Sequence, residues 1–157
     1  MRRIVVTLAA ALTISLVTAA TASAQIDIDK GIAGARIGNT KAQVHAALGN
    51  PTSKKSGKND FGPFLEERYR GGIVVGYQGA KRVSSVTTTG LGDRTAAGVG
   101  VGSTEAAVKK HVPGVTCRTF VGTRSCHTHD FLAGQRVTDF FLKNGKVTRV
   151  SVGVVID

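Results

Sequence analysis

The chain has 157 residues, with 21 Lys and Arg against 10 Asp and Glu, a formal charge of +11, two Tyr, six Phe and no Trp. This length points to one or two small domains, and so few aromatic side chains make a poor platform for stacking single-stranded bases, so nucleic acid is not the expected partner. The positive balance instead favours acidic proteins or anionic envelope polymers.

Residues 1–24 read as a signal peptide that is cleaved. Arg2 and Arg3 open it, an apolar run follows from Ile4 to Ala20, and Ala22-Ser23-Ala24 is a small-residue cleavage signature. The run is short and interrupted by Thr and Ser, unlike a retained anchor, and nothing after residue 24 is apolar enough to span a bilayer. The expected mature chain begins near Gln25, is secreted or extracytoplasmic, and keeps the positive balance, since Arg2 and Arg3 are the only charged residues lost.

Two helices are signalled next. Thr40 is placed to N-cap the first, and Gln43 three residues on completes a capping box. Thr104 holds the same place in the second, ahead of Glu105, whose charge suits a helix N-terminus. Val44, Ala47 and Leu48, and then Val108, His111 and Val112, fall at helical spacing and give each helix one apolar stripe. Gly49-Asn50-Pro51 and Pro113-Gly114 end them. Ahead of the second helix, Gly98-Val99-Gly100-Val101-Gly102-Ser103-Thr104 looks like a phosphate-cradling loop. It lacks the Lys that such a loop places after its last glycine, so the glycines read as backbone positions leading into a helix.

Strand patterns follow each helix. Ile73–Gln78 and Arg82–Thr89 around Gly79-Ala80 read as one hairpin, and Thr138–Leu142 and Lys146–Ile156 around Asn144-Gly145 as another. Val83 and Val86, like Val147 and Val150, stand three apart, which predicts a bulge or a late strand start. Looser segments, Lys54–Tyr69 and Arg118–Arg136, are expected to supply further strands and exposed loops.

A shift of 64 residues lays Ala33 on Ala97, Gly34 on Gly98, Gly38 on Gly102, Thr40 on Thr104, Ala42 on Ala106, Val44 on Val108 and Thr52 on Thr116. The expected fold is therefore α+β, in two tandem repeat units of period 64 at residues 25–92 and 93–157, each a short helical segment packed on an antiparallel sheet.

Cys117 and Cys126 are the only cysteines. If Val121-Gly122 is a two-residue turn, residues 120 and 123 form its closing hydrogen-bonded pair and the two cysteines face each other at a non-hydrogen-bonded pair, within disulfide reach. A bridge is expected in an oxidising compartment.

His127 and His129, in Cys126-His127-Thr128-His129-Asp130, would share one face of a strand. With no third ligand in a recognisable spacing, the cluster reads as a surface loop, and neither a metal nor a cofactor is expected. Glu66-Glu67 and Asp27/Asp29 match no acid/base motif, and no G-x-S-x-G pattern occurs, so the chain is read as a non-enzyme. The segment Lys58–Phe64 sets Asp60, Phe61 and Phe64 in a Gly/Pro-rich loop. Those three residues, with His127 and His129, are the candidate partner contacts.

The segments Ile37–Pro51 and Val101–Val108 resemble the opening of the SmpA/OmlA (BamE-like) domain, G-M-T-x-x-x-V-x-x-x-L-G-x-P, and the tandem arrangement is similar to that of the secreted β-lactamase inhibitory proteins of actinomycetes. The resemblance implies helix-plus-antiparallel-sheet units that act by binding proteins, in the manner of an inhibitor. The expected function is thus a secreted protein-binding module, ahead of a charge-driven binder of an anionic envelope polymer and, third, a metal-dependent enzyme using His127, His129 and Asp130.

Overall fold

The computed structural model describes residues 24–79 and 81–156; the expected signal peptide lies outside them, apart from Ala24. Alternation of period two dominates the chain, and the strands are β1 (Gln25–Asp27), β2 (Gly31–Ile32), β3 (Ala35–Arg36), β4 (Ser53–Asn59), β5 (Gly62–Arg68), β6 (Ile73–Gln78), β7 (Ser85–Thr88), β8 (Arg94–Thr95), β9 (Thr116–Phe120), β10 (Thr123–His127), β11 (Arg136–Lys143) and β12 (Lys146–Val154). The helices are α1 (Lys41–Leu48) and α2 (Glu105–His111). Eight strands form one antiparallel sheet in the order β4-β5-β6-β7-β12-β11-β10-β9, and a small sheet has the order β3-β2-β1-β8.

One face of the large sheet is apolar. Val75, Tyr77, Val86, Phe140, Val147, Val150 and Val152 join Ile26, Ile32, Val44, Val108 and Val112 in a single buried cluster, so the helices and the small sheet cover that face. Neither α1 nor α2 lies on the other face.

The expectation of an α+β fold in two repeat units is corrected by this architecture, which is mostly β. Among the described residues the two α-helices have eight and seven residues, and each fully buries one of its own side chains, Val44 or Val108. That is too little apolar surface to make a helical layer. The strands of both expected units share one sheet, a point the sequence leaves open, because β7 pairs with β12 from Ser85–Gly153 to Thr88–Val150. The two halves also exchange contacts: β1 pairs in parallel with β8, and Asp29 bonds to Thr128 and Thr138.

Local signals were realised residue by residue. The Thr40 side chain accepts from the Gln43 N–H, the Gln43 side chain accepts from the Thr40 N–H, and Thr104 accepts from the Ala107 N–H. Val121 and Gly122 have φ of 44° and 75°, and Asn144 and Gly145 have 53° and 73°, the left-handed pairs that tight hairpin turns need. Both readings of the valine spacing occur. A register shift places Arg149 opposite Phe141 but Val147 opposite Leu142, leaving Thr148 as the extra residue, whereas Val83 simply precedes the start of β7.

The glycine-rich stretch before α2 keeps its N–H groups for the protein itself. Gly98 donates to the Thr95 carbonyl, Val99 to the Thr95 hydroxyl, Gly100 to the Ser103 hydroxyl and Gly102 to the Val147 carbonyl. No array of free donors remains there to cradle a phosphate. Gly100 sits where the backbone meets Asp93 so closely that any Cβ would overlap the Asp93 carbonyl. The edge strand β4 is exposed throughout and carries Lys54, Lys55 and Lys58.

Cys117 and Cys126 pair across β9 and β10 in a disulfide, which fits an oxidising compartment. No helix among the described residues is long and apolar enough to cross a membrane.

Replacing Gly100 with Ala should cost at least about 2 kcal/mol in urea unfolding, because backbone must move to admit one methyl group. Replacing both cysteines with Ser should lower stability by about 2–3 kcal/mol in the same measurement, the chain-entropy value for so short a loop.

Candidate functional site: the open face of the sheet

Cross-strand register builds the open face. Thr116, His127, Asp139, Ser151, Thr87, Val74, Arg68 and Ser53 are successive partners across all eight strands, so their side chains leave the sheet on the same side. The centre is low: Ser151 and Thr87 share a 3.0 Å hydroxyl contact, with Gly153, Ser85 and Gly76 in the adjoining row. Bulk rises on both sides of this floor.

On the β9–β12 side the bulk is aromatic and cationic. Arg118, Phe120, Phe131, Asp139, Phe141 and Arg149 surround a hollow of about 660 Å³. Phe120 is 74% exposed and Phe131 45%. The Arg118 guanidinium lies 5.3 Å from the centre of the Phe131 ring, and that of Arg149 lies 3.8 Å from the centre of Phe141. Among the described residues neither Arg has a carboxylate within salt-bridge distance.

Two buried acceptors lie under this hollow. His127 is 1% exposed, packs 4.9 Å from Phe131, and uses Nδ1 to donate to the His129 carbonyl at 2.8 Å. Its Nε2 and the cross-strand Asp139 Oδ1 have no hydrogen-bond partner among the described residues. Burial pushes the Asp139 carboxyl above its usual range, and Ser125, His127, Arg149 and Arg118 only partly offset this.

The candidate contacts read from sequence are dispersed. Phe64 is on the open face at the far side, its ring lying over Gly57, where a Cβ would come within 2.8 Å of it. Asp60 and the 52% exposed Phe61 form the turn between β4 and β5, at the edge opposite β9. His127 is under the open face, whereas His129 is exposed and paired with Asp29 at 3.0 Å. Arg118, Phe120, Phe131, Phe141 and Arg149 were missed. Strand alternation held the clue for one of them: Phe140 points into the core, so Phe141 must point out.

A second hollow, of about 540 Å³, opens beside the small sheet and is lined by Asp27, Asp29, Lys30, Arg36, His111 and His129 among others. Its acids already have partners. Asp29 accepts from Thr128, Thr138 and His129, and Asp27 pairs with Arg36 at 2.9 Å. One close grouping of potential metal ligands, Glu105 with Cys117 and Cys126, is occupied by the disulfide and by the ion pairs of Glu105 with Arg124 and Lys109.

Beneath the helical side lies a buried carboxylate. Glu67 accepts from the hydroxyls of Tyr69 at 2.8 Å and Tyr77 at 3.0 Å, contacts His45 Nε2 at 3.1 Å and pairs with Lys54 at 3.0 Å. Burial alone would push its pKa up, yet these four contacts together hold it down at about 2. Burial and the Glu67 charge both push the two tyrosine hydroxyls well above their usual range, so they remain donors.

No protein-family model and no curated relative matches the sequence. Solved structures do resemble it in fold. The uncharacterized protein yfeY from Escherichia coli is 14% identical over 84% of this chain and 99% of that one, with a TM-score of 0.52. A cysteine-rich secretory protein from Staphylococcus aureus is 10% identical over 75% of this chain, with a TM-score of 0.48, and the match spans only 44% of that longer protein. A DUF4309 family protein from Bacillus subtilis is 21% identical over 77% of this chain and 82% of that one, with a TM-score of 0.46.

Glu67 and Glu105 are both held near pKa 2, the latter by Arg124 and Lys109, from an ordinary value of 4.5. Folded values below unfolded ones mean that each carboxylate stabilises the fold above about pH 4.5 and that the contribution fades as pH falls toward 2. Unfolding free energy measured across that window should therefore decline. The variant Glu67→Gln should decline less steeply, by about one proton, and be less stable at neutral pH.

Proposed function

We propose that this chain is a secreted, non-enzymatic protein-binding module that works through the open face of its large sheet. The observation that carries the reading is the β9–β12 hollow, where exposed Phe120 and Phe131 stand beside two arginines that have no carboxylate within salt-bridge distance among the described residues. Aromatic side chains and Arg are the types that anchor protein interfaces.

Three further features support it. Other hollows, around Arg68 and Thr87, around Gly76 and Ser85, and around Ser151 and Gly153, open on this same face. An eight-stranded antiparallel scaffold presents its side chains preorganised, which lowers the entropy cost of association. The acids and imidazoles elsewhere, at Asp29, Glu67, His45 and His129, are engaged with one another or with hydroxyls, a pattern suited to a scaffold. The resemblance of Ile37–Pro51 and Val101–Val108 to the SmpA/OmlA domain, read from the sequence, points the same way, toward binding of other proteins.

Affinity capture from extracytoplasmic fractions tests this, using the mature chain and a Phe120→Ser/Phe131→Ser variant side by side with salt-ramp elution. A defined protein should be retained by the native chain above physiological salt and lost from the variant. Polymer that leaves both early in the ramp would favour the charge-driven alternative, because electrostatic attachment weakens steeply with ionic strength.

A further inference from the structure

Register narrows what the hollow can hold. Arg118, Ser125, Phe141 and Arg149 are successive cross-strand partners on β9, β10, β11 and β12. The two arginines thus start three inter-strand spacings apart, roughly 14 Å at about 4.8 Å each, and two long side chains can flank one small group across that gap. Each guanidinium is stacked near a Phe ring, which desolvates its face and leaves its N–H edge available. A planar oxyanion suits such an edge.

The rest of the lining separates one oxyanion from others. Asp139 stands at the base of the hollow with Oδ1 unpartnered among the described residues. A multiply charged phosphate or a run of anionic polymer would bring its charge against that acid. A single carboxylate would satisfy the arginines while bringing only one charge toward Asp139, and a peptide chain offers one at every acidic residue. Phe120, Phe131 and Phe141 supply an apolar wall for the neighbouring side chain.

We propose that the hollow takes an acidic side chain of a partner protein, with its carboxylate between Arg118 and Arg149 and the adjacent apolar side chain on Phe120, Phe131 and Phe141. This inference rests on the open-face binding reading and specifies its partner chemistry. The excess of basic over acidic residues in the chain favours approach of such a segment.

Selection of random displayed peptides on the immobilised, disulfide-bonded mature chain at physiological salt tests it. Enriched peptides should set Asp or Glu beside an aromatic or aliphatic residue. Their affinity should drop about tenfold or more against Arg118→Ala and against Arg149→Ala, stay unchanged against Lys110→Ala on the exposed side of α2, and drop equally when the peptide acid becomes Asn or Gln. Both arginines are exposed, and thermal melts of each variant check that it remains folded. Peptides without an acid, peptides indifferent to both arginine variants, or no enrichment at all would overturn the inference. If the indifferent peptides still lost affinity for Phe120→Ser/Phe131→Ser, the open-face reading would survive; indifference to that variant too would remove both.

Discussion

The hydrogen-bonded ladder between β7 and β12 is the interaction on which the rest depends. Each of these strands would otherwise present an open edge in the middle of the molecule, with unpaired N–H and C=O groups. Joined from Ser85–Gly153 to Thr88–Val150, they make one sheet eight strands wide and bring Val86, Val150 and Val152 together at its centre. A buried apolar surface of that breadth needs a cover. The two helices are too short to supply it, so the small sheet completes the layer.

That cover also ties distant parts of the chain together. Parallel pairing of β1 with β8 and the bonds from Asp29 to Thr128 and Thr138 span from about 70 to over 100 residues of sequence. Contacts of such separation form late and at an entropic cost in loop closure. In return they tie the small sheet to the large one, while on the opposite face Phe131 packs against the buried His127. On the helical side, burial of the Glu67 carboxylate is sustained by two tyrosines and a histidine on Oε2 and by the Lys54 ammonium as the one partner of Oε1 among the described residues.

Signals confined to a few residues were legible in the sequence. Thr40 and Thr104 announced their helices, Asn144-Gly145 its hairpin, and the Val121-Gly122 turn placed Cys117 opposite Cys126. What escaped depends on register between remote segments. Two-residue strands such as β2, β3 and β8 have no periodicity to detect, and the fusion at β7 and β12 is written in no local pattern. Recurrence over 64 residues left open whether the sheets of the two units join, and edge pairing makes them one. Among site residues, Phe64 is on the open face, but Arg118 and Arg149 were indistinguishable from other scattered basic residues until the strands aligned them beside Phe131 and Phe141.

The two outer edges of the large sheet differ in how they are blunted. Strand β4 is exposed along its whole length and bears three lysines, while β9 is cross-linked to its neighbour through Cys117 and Cys126. A lysine-studded edge repels a second copy of itself, and a stapled hairpin resists peeling away to swap partners. Strand addition from another chain is thus discouraged at the β4 edge, and exchange of the β9–β10 hairpin at the other. On the binding reading proposed above, such a protein would meet its target face-on, through side chains rather than through its backbone.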